Sequence, residues 1–81
     1  MSRRLPRLSG YELIEVLVKK FGFQVSRQRG SHVVLVKFVD EMKRVTVVPL
    51  HRELKPGTLL GVLDLAGIDR DEFIRAYEED C

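Results

Sequence analysis

Eight residues in the middle of the chain, His32-Val33-Val34-Leu35-Val36-Lys37-Phe38-Val39, constrain everything around them. β-Branched side chains are stiff at χ1 and fit a pleated sheet better than a helix. The run reads as a strand with apolar residues on both faces. Its second face is either partly covered or meets a partner. Turn-forming pairs bound it, Gly30-Ser31 before and Asp40-Glu41 after. Such short connections allow only antiparallel neighbours. Upstream, Phe23 and Val25 alternate with Gln24 and Ser26 as a short half-buried strand. Downstream, residues 44–50 form a third, with Val45 and Val47 facing one way and Arg44 and Thr46 the other. Pro49 cannot donate to a ladder and marks a strand end or an edge.

Helical spacing brackets the strands. Ser9-Gly10-Tyr11-Glu12 has the spacing of a capping box, in which serine and glutamate satisfy each other's backbone N–H groups. Leu13, Ile14, Leu17, Val18 and Phe21 follow on one face, and Gly22 suits the left-handed stop. A helix over about residues 10–21 is predicted. Pro56 suits a first helical position, and the apolar spacing continues from Leu59 until Gly67 ends it. Gly61 inside that helix suggests a close contact. Asp69 and Glu72 repeat the cap spacing before a final helix. The expected fold is α+β: a three-stranded antiparallel sheet with helices packed on one face, in the order α-β-β-β-α with a short C-terminal helix. Leu13, Leu17, Phe21, Val45, Leu60, Leu63 and Phe73 are the expected core.

With 81 residues the chain is expected to be one domain spanning 1–81, with residues 1–8 a loose basic arm. Cys81 is the single cysteine, so no internal disulfide is expected, which suits a reducing compartment. No stretch has membrane-spanning length, and neither a secretory signal nor a membrane association is expected. The net charge of +2 hides a segregation. Residues 1–55 carry 12 Lys/Arg against 5 Asp/Glu, and residues 56–81 carry 2 against 7. The basic part is where a polyanion would bind.

Within it, Arg27-Gln28-Arg29-Gly30-Ser31-His32 concentrates the chemistry. Histidine can take and give protons near neutral pH, and only His32 and His51 are present. RNA carries its own nucleophile in the 2′-OH. One histidine can deprotonate it or protonate the leaving oxygen. Arg27, Arg29 and Lys37 can hold the phosphate. Gly30 allows close backbone approach, and Ser31 can donate to a phosphate oxygen. No cofactor is expected, and no His, Cys and carboxylate set has metal-ligand spacing. Each residue has a plainer use. His32 can be a polar strand end, Arg27 and Arg29 can protect an edge strand by charge, and Ser31 can simply shape the turn. His51 can organise the connection before the second helix, unless a phosphate at that helix N-terminus draws it in.

The pattern resembles the HicA family of small mRNA-cleaving toxins. The likeness rests on Leu5-Pro-Arg-Leu-Ser-Gly, Phe21-Gly22-Phe23, Gly30-Ser31-His32, Val47-Val48-Pro49-Leu50-His51, Pro56-Gly57-Thr58-Leu59 and Leu65-Ala66-Gly67-Ile68, in this order and spacing. The resemblance implies a double-stranded-RNA-binding-domain-like fold, mRNA cleavage with His32 as the catalytic residue, and a neutralising HicB-like antitoxin in the cytoplasm; the lack of a ligand cluster makes the cleavage expected to be metal-independent. Many members carry a second histidine next to the first, where this chain has Val33. Three classes stay open: an RNA-cleaving enzyme, a non-catalytic RNA-binding module of the same fold, and a protein-interaction domain using the apolar sheet. A homodimer is compatible with any of them.

Overall fold

A computed structural model describes residues 4–79. Helix α1 (Gly10–Phe21) leads into strands β1 (Gln24–Arg29), β2 (His32–Val39) and β3 (Met42–Pro49), then helices α2 (Pro56–Ala66) and α3 (Arg70–Glu79). The sheet is antiparallel in the order β1-β2-β3, so the apolar run is the central strand, as expected.

The helix signals are realised as read. Ser9 and Glu12 form both halves of the capping box, at 3.1 and 2.7 Å, and Gly22 closes α1 in the left-handed conformation. α2 starts at Pro56 and ends at Gly67, also left-handed. Leu13 and Leu17 from α1, Leu59, Leu63 and Ala66 from α2, and Phe73 from α3 join Phe23, Val33, Leu35 and Val48 in one core. Phe21 is half-buried and stacks on Phe73 at 6.3 Å. In the stretch expected to be a loose arm, Leu8 is buried and Leu5 packs against the core. Residues 1–3 lie outside the described residues.

Two expected core positions are corrected. Val45 is 39% exposed while Thr46 is fully buried, so β3 turns the opposite face inward from the one expected. Thr46 pairs with Leu35, and its hydroxyl donates to the Val62 carbonyl at 2.8 Å. That bond removes the penalty of burying a hydroxyl, and it frees the valines at 45 and 47 for the other face. Leu60 is 41% exposed because α2 packs through Leu59, Val62, Leu63 and Ala66, a stripe displaced by one residue. Nor does Gly61 mark a close contact: an added Cβ there would meet nothing within 4 Å.

Candidate active site

The strand period of two sorts β2 cleanly. Val33 and Leu35 point into the helical layer, so His32, Val34, Val36 and Phe38 point to the open face. Directly paired residues share a face. On β3 the open face therefore takes Val47, Val45 and Lys43 opposite Val34, Val36 and Phe38, while Pro49, the partner of His32, is buried at the strand end beside Gly10.

Val25 pairs with Leu35, on the helix side, whereas Arg27 pairs with Val34 and Arg29 with His32, on the open side. Val25, Arg27 and Arg29 share a parity in sequence, so a regular strand would put all three together. A bulge between Val25 and Arg27 switches the parity. A bulge inserts one residue and re-aims the side chains beyond it. Here the bulge, with Ser26 as the extra residue, brings both arginines to the face of His32.

The resulting rows are Arg29–His32–Pro49 and Arg27–Val34–Val47. Cβ atoms of directly opposed residues lie about 5 Å apart, so the Arg29 and His32 side chains can meet on one ligand atom. Arg27, Arg29, Ser31 and His32 are all exposed, and none of their side chains has a hydrogen bond or ion pair to another described residue. Exposed donors with no partner among the described residues thus stand beside an imidazole.

The turn below them is firmly held. Gly30 has φ 58°, where glycine is strain-free. The Gln28 side-chain amide donates to the Gly30 carbonyl at 2.9 Å. The Leu50 N–H donates to the Ser31 carbonyl at 2.7 Å, tying the turn to the end of β3. The Gly10 N–H in turn donates to the His51 carbonyl at 2.9 Å, so α1 is tied to the same end. An added Cβ at Gly10 would run into the Pro49 carbonyl oxygen. Sequence reasoning missed this close approach, although Gly10 beside the cap serine and Pro49 at a strand end were both visible.

Two candidate residues stand apart. Lys37 is five positions from His32, an odd offset, so it lies on the helix side of β2, about 17 Å along the strand. Its ammonium covers the Phe23 ring at 5.7 Å from the centroid. The His51 imidazole is exposed at the same end of the sheet as His32, and among the described residues it has no side-chain hydrogen bond or ion pair; its backbone carbonyl accepts from Gly10. Among the described residues no three His, Cys, Asp or Glu side chains gather into a set that could hold a metal. No helix among them is long and apolar enough to cross a membrane.

The sequence model of the HicA toxin of bacterial toxin–antitoxin systems matches residues 10–68, well over half of the chain. The chain belongs to the HicA toxin family. No curated protein and no solved structure matches it at a significant level. The HicA match spans α1, all three strands and α2, and so includes the turn, His32 and the arginine pair. Membership in a toxin–antitoxin family carries with it an antitoxin partner. On the open face of this HicA chain, Val34, Val36, Val45 and Val47 form an apolar floor beside the basic row, and no helix among the described residues covers it.

Proposed function

We propose that this chain is an RNA-cleaving toxin, a metal-independent endoribonuclease with His32 as its catalytic acid and base. The observation that carries the reading is the row of His32 and Arg29, with Arg27 one row behind, exposed and without partners among the described residues, on a turn held by the rest of the fold. The 2′-OH attacks the adjacent phosphorus. The P–O5′ bond breaks, leaving a 2′,3′-cyclic phosphate and a 5′-hydroxyl. The chemistry needs a proton removed from the 2′-oxygen and one delivered to the 5′-oxygen. One imidazole does both only by carrying the proton across, so water or a second group shares the work. His51 is the one other histidine at this end of the sheet. Arg29 and Arg27 stabilise the charge that builds on the phosphoryl oxygens, and Ser31 and the open turn at Gly30 let the backbone approach the phosphate. Lys37, on the far face, has no place in this arrangement.

The partner in this reading is a HicB-like antitoxin in the cytoplasm. It covers His32, offers acidic groups to the arginine row and seats apolar residues on the valine floor. The substrate is mRNA. The test compares the wild type, His32→Ala and His51→Ala on RNA with EDTA present, followed by analysis of the product ends. Cleavage is expected to fall by roughly 10²- to 10⁴-fold in His32→Ala, with cyclic phosphate and 5′-hydroxyl ends in the wild type. Wild-type cleavage by His32→Ala, a need for divalent metal, or 5′-phosphate ends would sink the assignment.

A further inference from the structure

A second group of exposed cations lies at the end of the sheet that carries His32, on the side away from Arg27 and Arg29. Three backbone bonds build it. The Leu50 N–H reaches the Ser31 carbonyl (2.7 Å), the Gly10 N–H reaches the His51 carbonyl (2.9 Å), and the Leu54 N–H reaches the Leu8 carbonyl (2.9 Å). Residues 7–10 and 50–55 therefore run side by side against the turn below His32. Leu8 and Leu54 are buried and anchor the two segments, and Arg7, Arg52 and Lys55 beside them are exposed. None of the three cations has a hydrogen bond or ion pair to another described residue. The acid among them is Glu53, exposed, while the nearby Glu12 carboxylate is occupied by the Ser9 N–H.

The reach is short. Pro49 is the direct partner of His32, and Arg52 is three residues further, at most about 11 Å of chain. Clustered cations repel one another, and a polyanion relieves that repulsion. The His32 row thus has cations on both sides, Arg27 and Arg29 on β1 and Arg7, Arg52 and Lys55 across the end of the sheet.

We infer that single-stranded RNA runs across this end of the molecule, with phosphates on one side of the scissile bond held by the β1 arginines and those on the other side held by Arg7, Arg52 and Lys55. The inference rests on the proposal that RNA is cleaved at His32, and it makes cleavage internal to a bound stretch. A short RNA fills one group of cations and a longer one fills both.

The test is the salt dependence of RNA binding, measured by fluorescence anisotropy with 2′-O-methyl RNAs of three and ten nucleotides. These lack the 2′-OH nucleophile, so the result does not depend on whether His32 is catalytic. Each phosphate contact contributes a slope of about 0.7 in log K against log salt for single strands. The triple variant Arg7→Ala/Arg52→Ala/Lys55→Ala should lower the slope for the ten-nucleotide RNA by about 2. That corresponds to roughly 100-fold weaker binding at 0.1 M salt, with convergence at 1 M. The advantage of ten nucleotides over three should collapse. Arg7→Lys/Arg52→Lys should keep the slope, and Arg75→Ala, on α3, should not move it. An unchanged slope in the triple variant overturns the inference, whether Arg27→Ala/Arg29→Ala lowers it or not. So does a triple variant that binds RNA normally but loses its antitoxin, because the patch is then a protein contact. Failure of the His32 proposal looks different: His32→Ala would still cleave unmodified RNA while the slopes behaved as expected.

Discussion

The two hairpins of the sheet share a turn length and a local geometry but differ in what holds them. Each turn has two residues, 30–31 and 40–41, and each sets its first residue at positive φ, 58° at Gly30 and 57° at Asp40. Positive φ at that position is what right-twisted strands favour in a two-residue connection. The β1–β2 turn is then braced from outside by the Leu50 N–H on the Ser31 carbonyl, and Pro49 beside His32 is pressed against Gly10 of α1. Among the described residues the β2–β3 turn has no such brace to the helical layer. Phe38, 68% exposed, and Met42 flank it openly. A tight turn is easily made. A turn that can hold a side chain at a fixed place also needs contacts to a second layer, and among the described residues only the β1–β2 turn has them.

The largest expected effect separates chemistry from scaffold. His32→Ala should remove two to four orders of magnitude of RNA cleavage, about 3–5 kcal/mol of barrier. Its thermal midpoint should stay within a degree or two, because the side chain is exposed and bonds to no other described residue. A large drop in midpoint would mean that the imidazole braces the hairpin.

Gly10→Ala attacks the brace itself. Alanine normally favours a helix over glycine by about 1 kcal/mol. Here the new Cβ would meet the Pro49 carbonyl oxygen and the Leu50 Cα, both backbone atoms that cannot rotate away. The variant should lose at least about 2 kcal/mol, and RNA cleavage should fall with it because the end of β3 that faces His32 must move. A midpoint equal to wild type would show that α1 is not a support for this turn.

The contrast also explains what is legible in the sequence. The braces that are local in sequence can be read: the Ser9–Glu12 box, the glycine stops, and the two turn pairs. Those that depend on distant atoms cannot. Thr46 competes with Val45 for the core, and both parities of β3 carry a valine. Only the Val62 carbonyl, 16 positions away, decides for Thr46. Arg27 and Arg29 share a face on parity alone, but which face depends on the bulge after Val25. Lys37 is legible as a cation, and its odd offset from His32 already argues against a shared face. The apolar second face of β2 reads as partly covered or partner-facing, and no helix among the described residues lies over it.

Gly30→Ala should cost about 1–2 kcal/mol, the penalty for a left-handed alanine, and no steric term adds to it because nothing lies within 4 Å of the new Cβ. For a domain of this size each kcal/mol shifts the midpoint by about 4–8 °C. A loss well beyond that range would reveal crowding at the turn, and the site would be less open than the geometry implies.

Asp40→Gly is the matching change in the unbraced hairpin, and it should do least. The aspartate carries a left-handed penalty that glycine removes. Glycine also loosens the unfolded chain, which costs about 0.4–1 kcal/mol in the opposite direction. The Asp40 side chain has no hydrogen bond or ion pair to another described residue, so nothing else is lost. The two terms nearly offset, and stability by urea unfolding should stay within about 0.5 kcal/mol of wild type. Cleavage should not change, because this turn sits at the other end of β2 from His32. A destabilisation above about 1 kcal/mol would mean that Asp40 braces its turn in solution. The two hairpins would then differ less than their contacts indicate, and the firmness of the His32 turn would need another explanation.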